Sequence, residues 1–346
     1  MREENTNKPF ITVGIASYNY ARFLPRAFEA IRRKKFTDFE VLYCDDGSTD
    51  DSVAVIERFI QENPEMRIRL ICGKNAGVME NKNRILENAA GEYVMLCDAD
   101  DWMDDDCLQV LAQAAQKTDA DRVVSEIRNV DDEGRALKHQ TLPANPSKWA
   151  EVLHHGALYK LSVIQQHNLC FTQRIPDDFC FIERFNLYAN KTEFVHREVY
   201  NWLIHNDSTS RVGGTENSWK GGQIFEGIVQ QSVEILPLID RENDRLQLEA
   251  EVIKNYYFHL ISGVASLHSI TQIKELYRNM REQMCACVPQ YLTNPYISGQ
   301  RPSLFRRETA SVLRILCLAD RLHLIPLLLL VFWCAGKTNL LHAETM

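Results

Sequence analysis

Four short apolar runs alternate with helix-patterned stretches in the first hundred residues, and each run ends in a cluster of polar side chains. The runs are residues 10–16, 39–44, 68–72 and 93–97. Between them, residues 23–33, 52–62 and 77–89 place apolar side chains at helical spacing, the second stopping near Pro64 and the third before Gly91. Runs of four to eight strand-forming residues separated by amphipathic helices predict right-handed crossovers and an α/β fold with a mostly parallel sheet. In such sheets ligands sit beyond the carboxyl ends of the strands. The polar clusters fall at those ends: Ser17-Tyr18-Asn19, then Asp45-Asp46-Gly47-Ser48, then Lys74-Asn75, then Asp98-Ala99-Asp100-Asp101. Four strand ends bearing polar groups on one rim define a binding edge.

The last cluster is the most demanding. Three carboxylates at the end of the buried run Tyr93-Val94-Met95-Leu96-Cys97 repel one another and lose hydration, so a compensating charge is needed. A divalent cation with oxygen ligands supplies it. The segment Asp45 to Asp51 admits a second explanation. Ser48 and Asp51 stand at capping-box spacing, and acids favour a helix's first turn. Both hold if residues 48–51 cap the helix while Asp45 and Asp46 stay free for a ligand.

A net charge of -8 argues against a nucleic-acid partner. Ten cysteines are present, but Cys44, Cys72 and Cys97 lie within or at the end of apolar runs, where a thiol behaves as a small hydrophobe, and Cys285-Ala286-Cys287 lacks zinc or redox spacing. The start, Met1-Arg2-Glu3-Glu4-Asn5, has no apolar signal core. The expectation is a reduced, cytoplasmic protein.

Farther along, residues 122–129 read as a strand, 131–134 as a turn, 143–146 as a loop and 194–200 as another strand. Residues 155–170 contain a short helix, and Ile175-Pro176-Asp177-Asp178 opens the next. Residues 208–217 are polar and include Gly213-Gly214. From Trp219 the pattern is helical, with a long segment over 241–270. This divides the chain into a domain of residues 1–218, with halves 9–130 and 131–218, and a helical region, 219–346.

Taken together, Thr12-Val13-Gly14-Ile15-Ala16-Ser17-Tyr18-Asn19, Cys44-Asp45-Asp46-Gly47-Ser48-Thr49-Asp50, Asn75-Ala76-Gly77 with Lys82-Asn83, and Gly91-Glu92-Tyr93 leading to Asp98-Ala99-Asp100-Asp101 resemble, in order and spacing, family 2 glycosyltransferases of the GT-A fold. The resemblance covers about residues 9–205 and implies a Rossmann-like sheet flanked by helices, with a helical extension. It implies a nucleotide-sugar donor laid across the rim in residues 9–130, and an acceptor in residues 131–218. Ala16 and Tyr18 would contact the base, Tyr18 by stacking. Asp45 or Asp46 would accept from the base imide or sit near the ribose, with Asn75 alongside. Lys82 stands where the family usually has Arg and would reach the base or a phosphate as a point charge, without Arg's planar fork. A surface-facing helix lysine is the competing account of it.

The resemblance makes Asp100 a direct ligand of Mn²⁺ or Mg²⁺, and Asp98 a contact to the ribose or, through water, to the ion. Asp101 would orient the loop, and His205 would be a further metal or phosphate contact. On the acceptor side the family places an acidic pair at a helix start. Asp177-Asp178 matches it, with Asp177 in place of the usual Glu and Asp178 as the catalytic base. The implied reaction inverts the anomeric carbon of a sugar, taken from a donor that is UDP-linked by resemblance, though guanosine and thymidine donors stay open. The acceptor would be a glycan or lipid-linked glycan in surface polysaccharide synthesis.

Two other readings compete. Nucleotidyl transfer would want a basic, Gly-rich loop after the first run, and Ser17-Tyr18-Asn19 is not one. A non-catalytic nucleotide-sugar-binding or scaffold subunit of an assembly complex would have no need of a base such as Asp178. The carboxyl-terminal tail adds a location. Residues 322–335 are apolar apart from His323, fewer than the roughly 20 residues of a spanning helix, and follow Arg301, Arg306, Arg307, Arg314 and Arg321. That pattern over 301–335 suits peripheral contact with the anionic inner face of the cell membrane, or a helix buried against the catalytic domain or an oligomer partner.

Overall fold

The structure is a computed structural model that describes residues 8–149, 154–173, 177–205, 220–264 and 267–337. Its contacts divide the chain into two compact units. Met1–Leu142, Val152–Gln173 and Arg184–Asn206 form the first, and Pro143–Glu151, Arg174–Glu183 and Asp207–Met346 the second. The boundary expected at 218 lies outside the described residues. The second unit also takes in two short segments that the sequence reading assigns to the acceptor half.

The amino-terminal alternation is realised as β1 (Ile11–Ser17), α1 (Leu24–Arg32), β2 (Phe39–Asp45), α2 (Ser52–Glu62), β3 (Ile68–Cys72), α3 (Val78–Asn88) and β4 (Tyr93–Asp98). Then follow β5 (Trp102–Met103), α4 (Cys107–Thr118), β6 (Arg122–Val130), β7 (Ala136–Gln140), β8 (Ala157–Lys160), α5 (Leu161–Gln166), α6 (Asp177–Tyr188) and β9 (Thr192–Leu203). The sheet order is β3-β2-β1-β4-β8-β6-β9-β5, with β7 paired to β6. β1 to β4 are mutually parallel where they pair. Beyond β4 the sheet turns mixed, because β8 runs antiparallel to both β4 and β6 while β6 and β9 are parallel.

β1 and β2 are buried along almost their whole length, as strands covered on both faces must be. Ile11, Val13, Ile15, Val41 and Tyr43 share one core with Phe28 of α1 and Phe59 of α2, whose rings stack at 4.0 Å. Gly14 serves the packing of α3: a Cβ there would fall 2.1 Å from Ile85 Cγ2. α2 ends at Glu62, where Asn63 Nδ2 donates to the Phe59 carbonyl, in accord with the stop expected before Pro64. The turn at 131–134 is built by Asp131, whose Oδ1 accepts from the Glu133 and Arg135 amides, with Gly134 at φ 79. Cys44, Cys97 and Cys107 are core residues, as apolar thiols should be, whereas Cys72 at the edge is exposed.

The second unit contains α7 (Lys220–Ile235), α8 (Glu242–Val264), α9 (Ile270–Cys287), α10 (Pro295–Ser298), α11 (Arg307–Arg321) and α12 (Ile325–Lys337). The long helix expected over 241–270 stops at Val264, and α9 starts afresh from a capping box between Ser269 and Gln272. The fully buried Asp320 accepts from the hydroxyls of Tyr291 at 2.7 Å and of Tyr257 and Tyr277 at 3.2 Å, so its lone pairs are satisfied away from water. α12 is neither wholly buried nor wholly free. Ile325 and Leu329 are buried, Trp333 Nε1 donates to the Leu267 carbonyl, and Leu327 and Val331 are exposed. Among the described residues no helix is long and apolar enough to cross a membrane. The polar segment 208–217, and the residues Ile175 and Pro176 before α6, lie outside the described residues.

Candidate functional site

Register brings the strand ends together. Ser17 pairs with Asp45 and Ala16 with Asp98, so the central strand β1 carries the β2 and β4 carboxylates on its two flanks. Tyr18 follows directly, with 42% of its surface exposed, a ring open to a planar ligand. Asn75 is exposed after β3.

The loops that leave β1 and β2 are stitched to each other. Asn19, at φ 58, accepts on its Oδ1 from the amides of Thr49 (2.8 Å) and Asp50 (3.3 Å), and its own amide donates to Ser48 Oγ. Gly47, at φ 75, turns the chain back so that the Ser48 amide and hydroxyl donate to Asp45, at 2.8 and 2.5 Å. The expected capping box of Ser48 and Asp51 is therefore not formed. Ser48 serves Asp45, Asp51 caps α2 without a side-chain bond, and Asp50 accepts from the Ser52 amide. Nor do the two acids stand free. Asp46 accepts from the amides of Ala76 and Gly77 at the start of α3, with Arg84 at 3.6 Å. A carboxylate offers about four lone-pair sites, so each retains capacity for a ligand donor.

The acidic loop is held at every corner. Asp101, 1% exposed, accepts from the Tyr200 hydroxyl and the Leu203 amide, both at 2.8 Å. It fastens the loop to β9, the orienting role expected of it. Asp100 is 8% exposed and its Oδ2 lies 2.8 Å from His205 Nε2. The His205 ring packs on Phe23 at 4.8 Å, and its Nδ1 has no hydrogen-bond partner among the described residues. Asp98 Oδ2 meets His155 Nε2 at 2.9 Å, with His154 Nε2 4.0 Å from Oδ1.

The electrostatics divide these acids. Burial alone would raise the Asp98 carboxyl, but His155, His154 and Lys82 outweigh it and hold it well below the usual carboxylate range. Burial, then the neighbouring Asp98 charge, raises Asp100. Burial also pushes Asp101 well up, against the pull of His155. Burial and like charge thus disfavour the ionised forms of Asp100 and Asp101, which a nearby positive charge would favour. Oxygens of Asp98, Asp100 and Asp101 lie within 4.8 Å of one another, as do ligand atoms of Asp98, His154 and His155. Asp98, Asp100 and Asp101 are thus an oxygen group that could hold a hard divalent cation, with Asp101 also bonded to β9 and Asp100 to His205.

Lys82 is 5% exposed, with its Nζ 5.0 Å from the Phe171 ring. The surface-lysine account of it fails, and its charge is spent next to Asp98. Asp177 and Asp178 occupy the first turn of α6, as the sequence indicates, in the second unit. The sequence reading misses His154 and His155. Their signal was a His-His-Gly triplet before a four-residue strand too short to show alternation.

This is a GT-A architecture: a Rossmann-like sheet whose strand ends carry an acidic, metal-competent loop. The fold matches that of TarS residues 1–349 from Staphylococcus aureus in complex with UDP-GlcNAc, with a TM-score of 0.66 at 16% identity, over 95% of this chain and 92% of that one. It also matches the mannosyltransferase PcManGT from Pyrobaculum calidifontis in complex with GDP-Man and Mn²⁺, with a TM-score of 0.54 at 15% identity, over 98% and 89% of the two chains. Residues 12–188 match glycosyl transferase family 2, and the chain belongs to that family. It is 27% identical over 215 residues to EpsH of Bacillus subtilis (strain 168) and 25% identical over 218 residues to chondroitin synthase of Escherichia coli. Those matches take in 57% and 58% of this chain, and 61% and 30% of the relatives' own lengths.

Proposed function

We propose that the protein is a metal-dependent, inverting glycosyltransferase. It moves a sugar from a nucleotide-sugar donor, a UDP-sugar first, to a hydroxyl of a glycan or lipid-linked glycan in surface polysaccharide synthesis. The observation that carries this reading is the row of Ala16, Asp45 and Asp98 along the strand ends, continued by the buried Asp100–His205 pair. The relatives support it, since TarS is seen with UDP-GlcNAc and PcManGT with GDP-Man and Mn²⁺.

In this reading Tyr18 stacks on the base beside Ala16, while Asp45, Asp46 and Asn75 line the nucleoside and Lys82 balances the charge around Asp98. Asp98, Asp100 and His205 would hold Mn²⁺ or Mg²⁺. When bound, the cation supplies a Lewis acid for the negative charge that grows on the departing diphosphate. Asp178 accepts the proton of the acceptor hydroxyl, which is otherwise a poor nucleophile. Attack from the face opposite the leaving group inverts the anomeric carbon.

A thermal-shift screen of UDP-, GDP- and dTDP-sugars with Mn²⁺ or Mg²⁺ tests the donor side. A ligand at a hundred times its Kd stabilises the folded state by about 2.7 kcal/mol, so a melting shift of several degrees, reversed by chelator, is expected. If no nucleotide sugar shifts the transition with either ion, the donor-site reading falls.

The second unit supports a place of action at the inner membrane face. Val312, Ile315, Leu318, Leu322, Leu327 and Val331 are exposed along α11 and α12, on helices that also expose Arg307, Arg314 and Arg321. Apolar side chains rimmed by arginines suit an anionic lipid surface. The intact chain is expected to float with vesicles containing anionic phospholipid and to leave them when residues 301–346 are removed. Equal recovery with and without vesicles would refute this location.

A further inference from the structure

The geometry points to His155 as a positioning residue: by donating its Nε2–H to Asp98, it sets the carboxylate that faces the cation and the donor. The inference rests on the donor-site reading above and deepens it. It starts from how firmly this imidazole is held. Its side chain is 5% exposed, its ring lies parallel to that of Trp202 at 5.7 Å, and the rings of Tyr200 and His154 close on it at 5.4 and 4.0 Å. Tyr200 and Trp202 both belong to β9, the strand that also fastens Asp101.

The next residue completes the clamp. Gly156 has φ 64, a backbone shape that L side chains rarely adopt. A Cβ there would sit 2.7 Å from Ser125 Oγ and 2.9 Å from Ile127 Cγ2. Its carbonyl accepts from both the amide and the hydroxyl of Ser125, at 3.0 and 2.8 Å. The chain thus enters its pairing with β6 through a turn only glycine fits, and the imidazole just before it is aimed at Asp98 Oδ2. Asp98 itself is the least covered of the three loop acids, with 36% of its side chain exposed. Oδ2 is taken by His155, and Oδ1, 4.0 Å from His154 Nε2, is the oxygen this inference assigns to a ligand.

A carboxylate on a two-bond side chain at an exposed strand end would otherwise sample several rotamers. Holding one oxygen fixes the other, and supporting partners of this kind are worth about 10–100-fold in metal affinity. The donor, not the ring's bulk, does this in the present account. The two properties separate by substitution. His155→Phe keeps a flat ring against Trp202 and loses the N–H, whereas His155→Gln loses the ring and offers an amide N–H at similar reach.

The test uses the full chain, with Mn²⁺ affinity in the presence of UDP read from the free-ion electron paramagnetic resonance signal. Donor affinity by calorimetry, and kcat and KM, are measured alongside. His155→Phe is expected to weaken Mn²⁺ binding by about 10–100-fold and to raise the donor KM more than it lowers kcat, with His155→Gln recovering most of the loss. A Phe variant that binds Mn²⁺ and donor as the wild type does would overturn the inference. So would a folded Gln variant as impaired as Phe, which would show that the N–H donor is not what matters, or a ¹⁵N coupling from His155 to bound Mn²⁺, which would make it a ligand. Wild-type protein that binds neither Mn²⁺ nor UDP-sugar would instead sink the donor-site reading beneath it.

Discussion

Exchanging Asp178 for Asn is expected to slow sugar transfer by roughly 10²–10⁴-fold, the usual worth of a positioned base, while donor affinity changes little. The substitution keeps shape and removes basicity. An amide cannot take a proton from a sugar hydroxyl, so the nucleophile stays un-activated. Asp178 stands in the first turn of α6, where an acid also steadies the helix through its dipole, a contribution of only about 0.3–1 kcal/mol. Loss of that share should lower the melting temperature by a few degrees at most, so a large fall in turnover would not be a folding effect. Asp177→Asn is the control. It alters the same helix start and the charge beside Asp178, and should cost far less. Rates from initial velocities, with donor binding measured separately, decide the matter.

The second large effect concerns Asp100→Ala. Asp100 is buried, and its carboxyl is raised by burial and by the neighbouring Asp98. Burial and the like charge of Asp98 thus disfavour its ionised form, which a cation would favour. Removing Asp100 should abolish Mn²⁺-dependent stabilisation in a thermal melt. If the cation's help to the leaving group is about 4 kcal/mol, turnover falls by about 10³-fold, since each 1.36 kcal/mol is tenfold. His205 would lose its 2.8 Å partner in the same variant, so its own contact to the site should weaken as well. A metal titration superimposable on that of the wild type would remove Asp100 from the ion.

Much of the donor edge was legible in the sequence because its information is local. The run 93–97 is apolar throughout and 39–44 is apolar but for Glu40, a pattern suited to strands covered on both faces. Their polar ends therefore had to emerge on one rim, as Ser17, Asp45 and Asp98 do. What was not legible depends on contacts distant in sequence. β7 is exposed and polar, β5 has two residues and β8 four, so none carries a readable period. His155 reaches Asp98 across 57 positions of sequence, through the antiparallel return of β8 and the turn at Gly156. The capping role of Ser48 was misassigned for a different reason. Helix-cap spacing and an acid-to-serine turn look alike in one dimension, and the positive φ of Gly47 decided between them. Whether Lys82 faces solvent or the site was open in the sequence, and its burial beside Phe171 decides against solvent. α4 is a different kind of miss, since Leu108, Leu111, Ala112 and Ala115 do stand at helical spacing.

In the proposed reaction Asp100 serves the cation and the departing diphosphate while Asp178 serves the incoming hydroxyl. Calorimetry of a UDP-sugar with Mn²⁺, run on Asp100→Ala and Asp178→Asn together with a product assay, tests that division directly. The expected result is Mn²⁺-dependent donor binding lost in the first and kept in the second, with neither forming product at an appreciable rate. Wild-type product formation by Asp178→Asn, or unaltered Mn²⁺-dependent binding by Asp100→Ala, would contradict it.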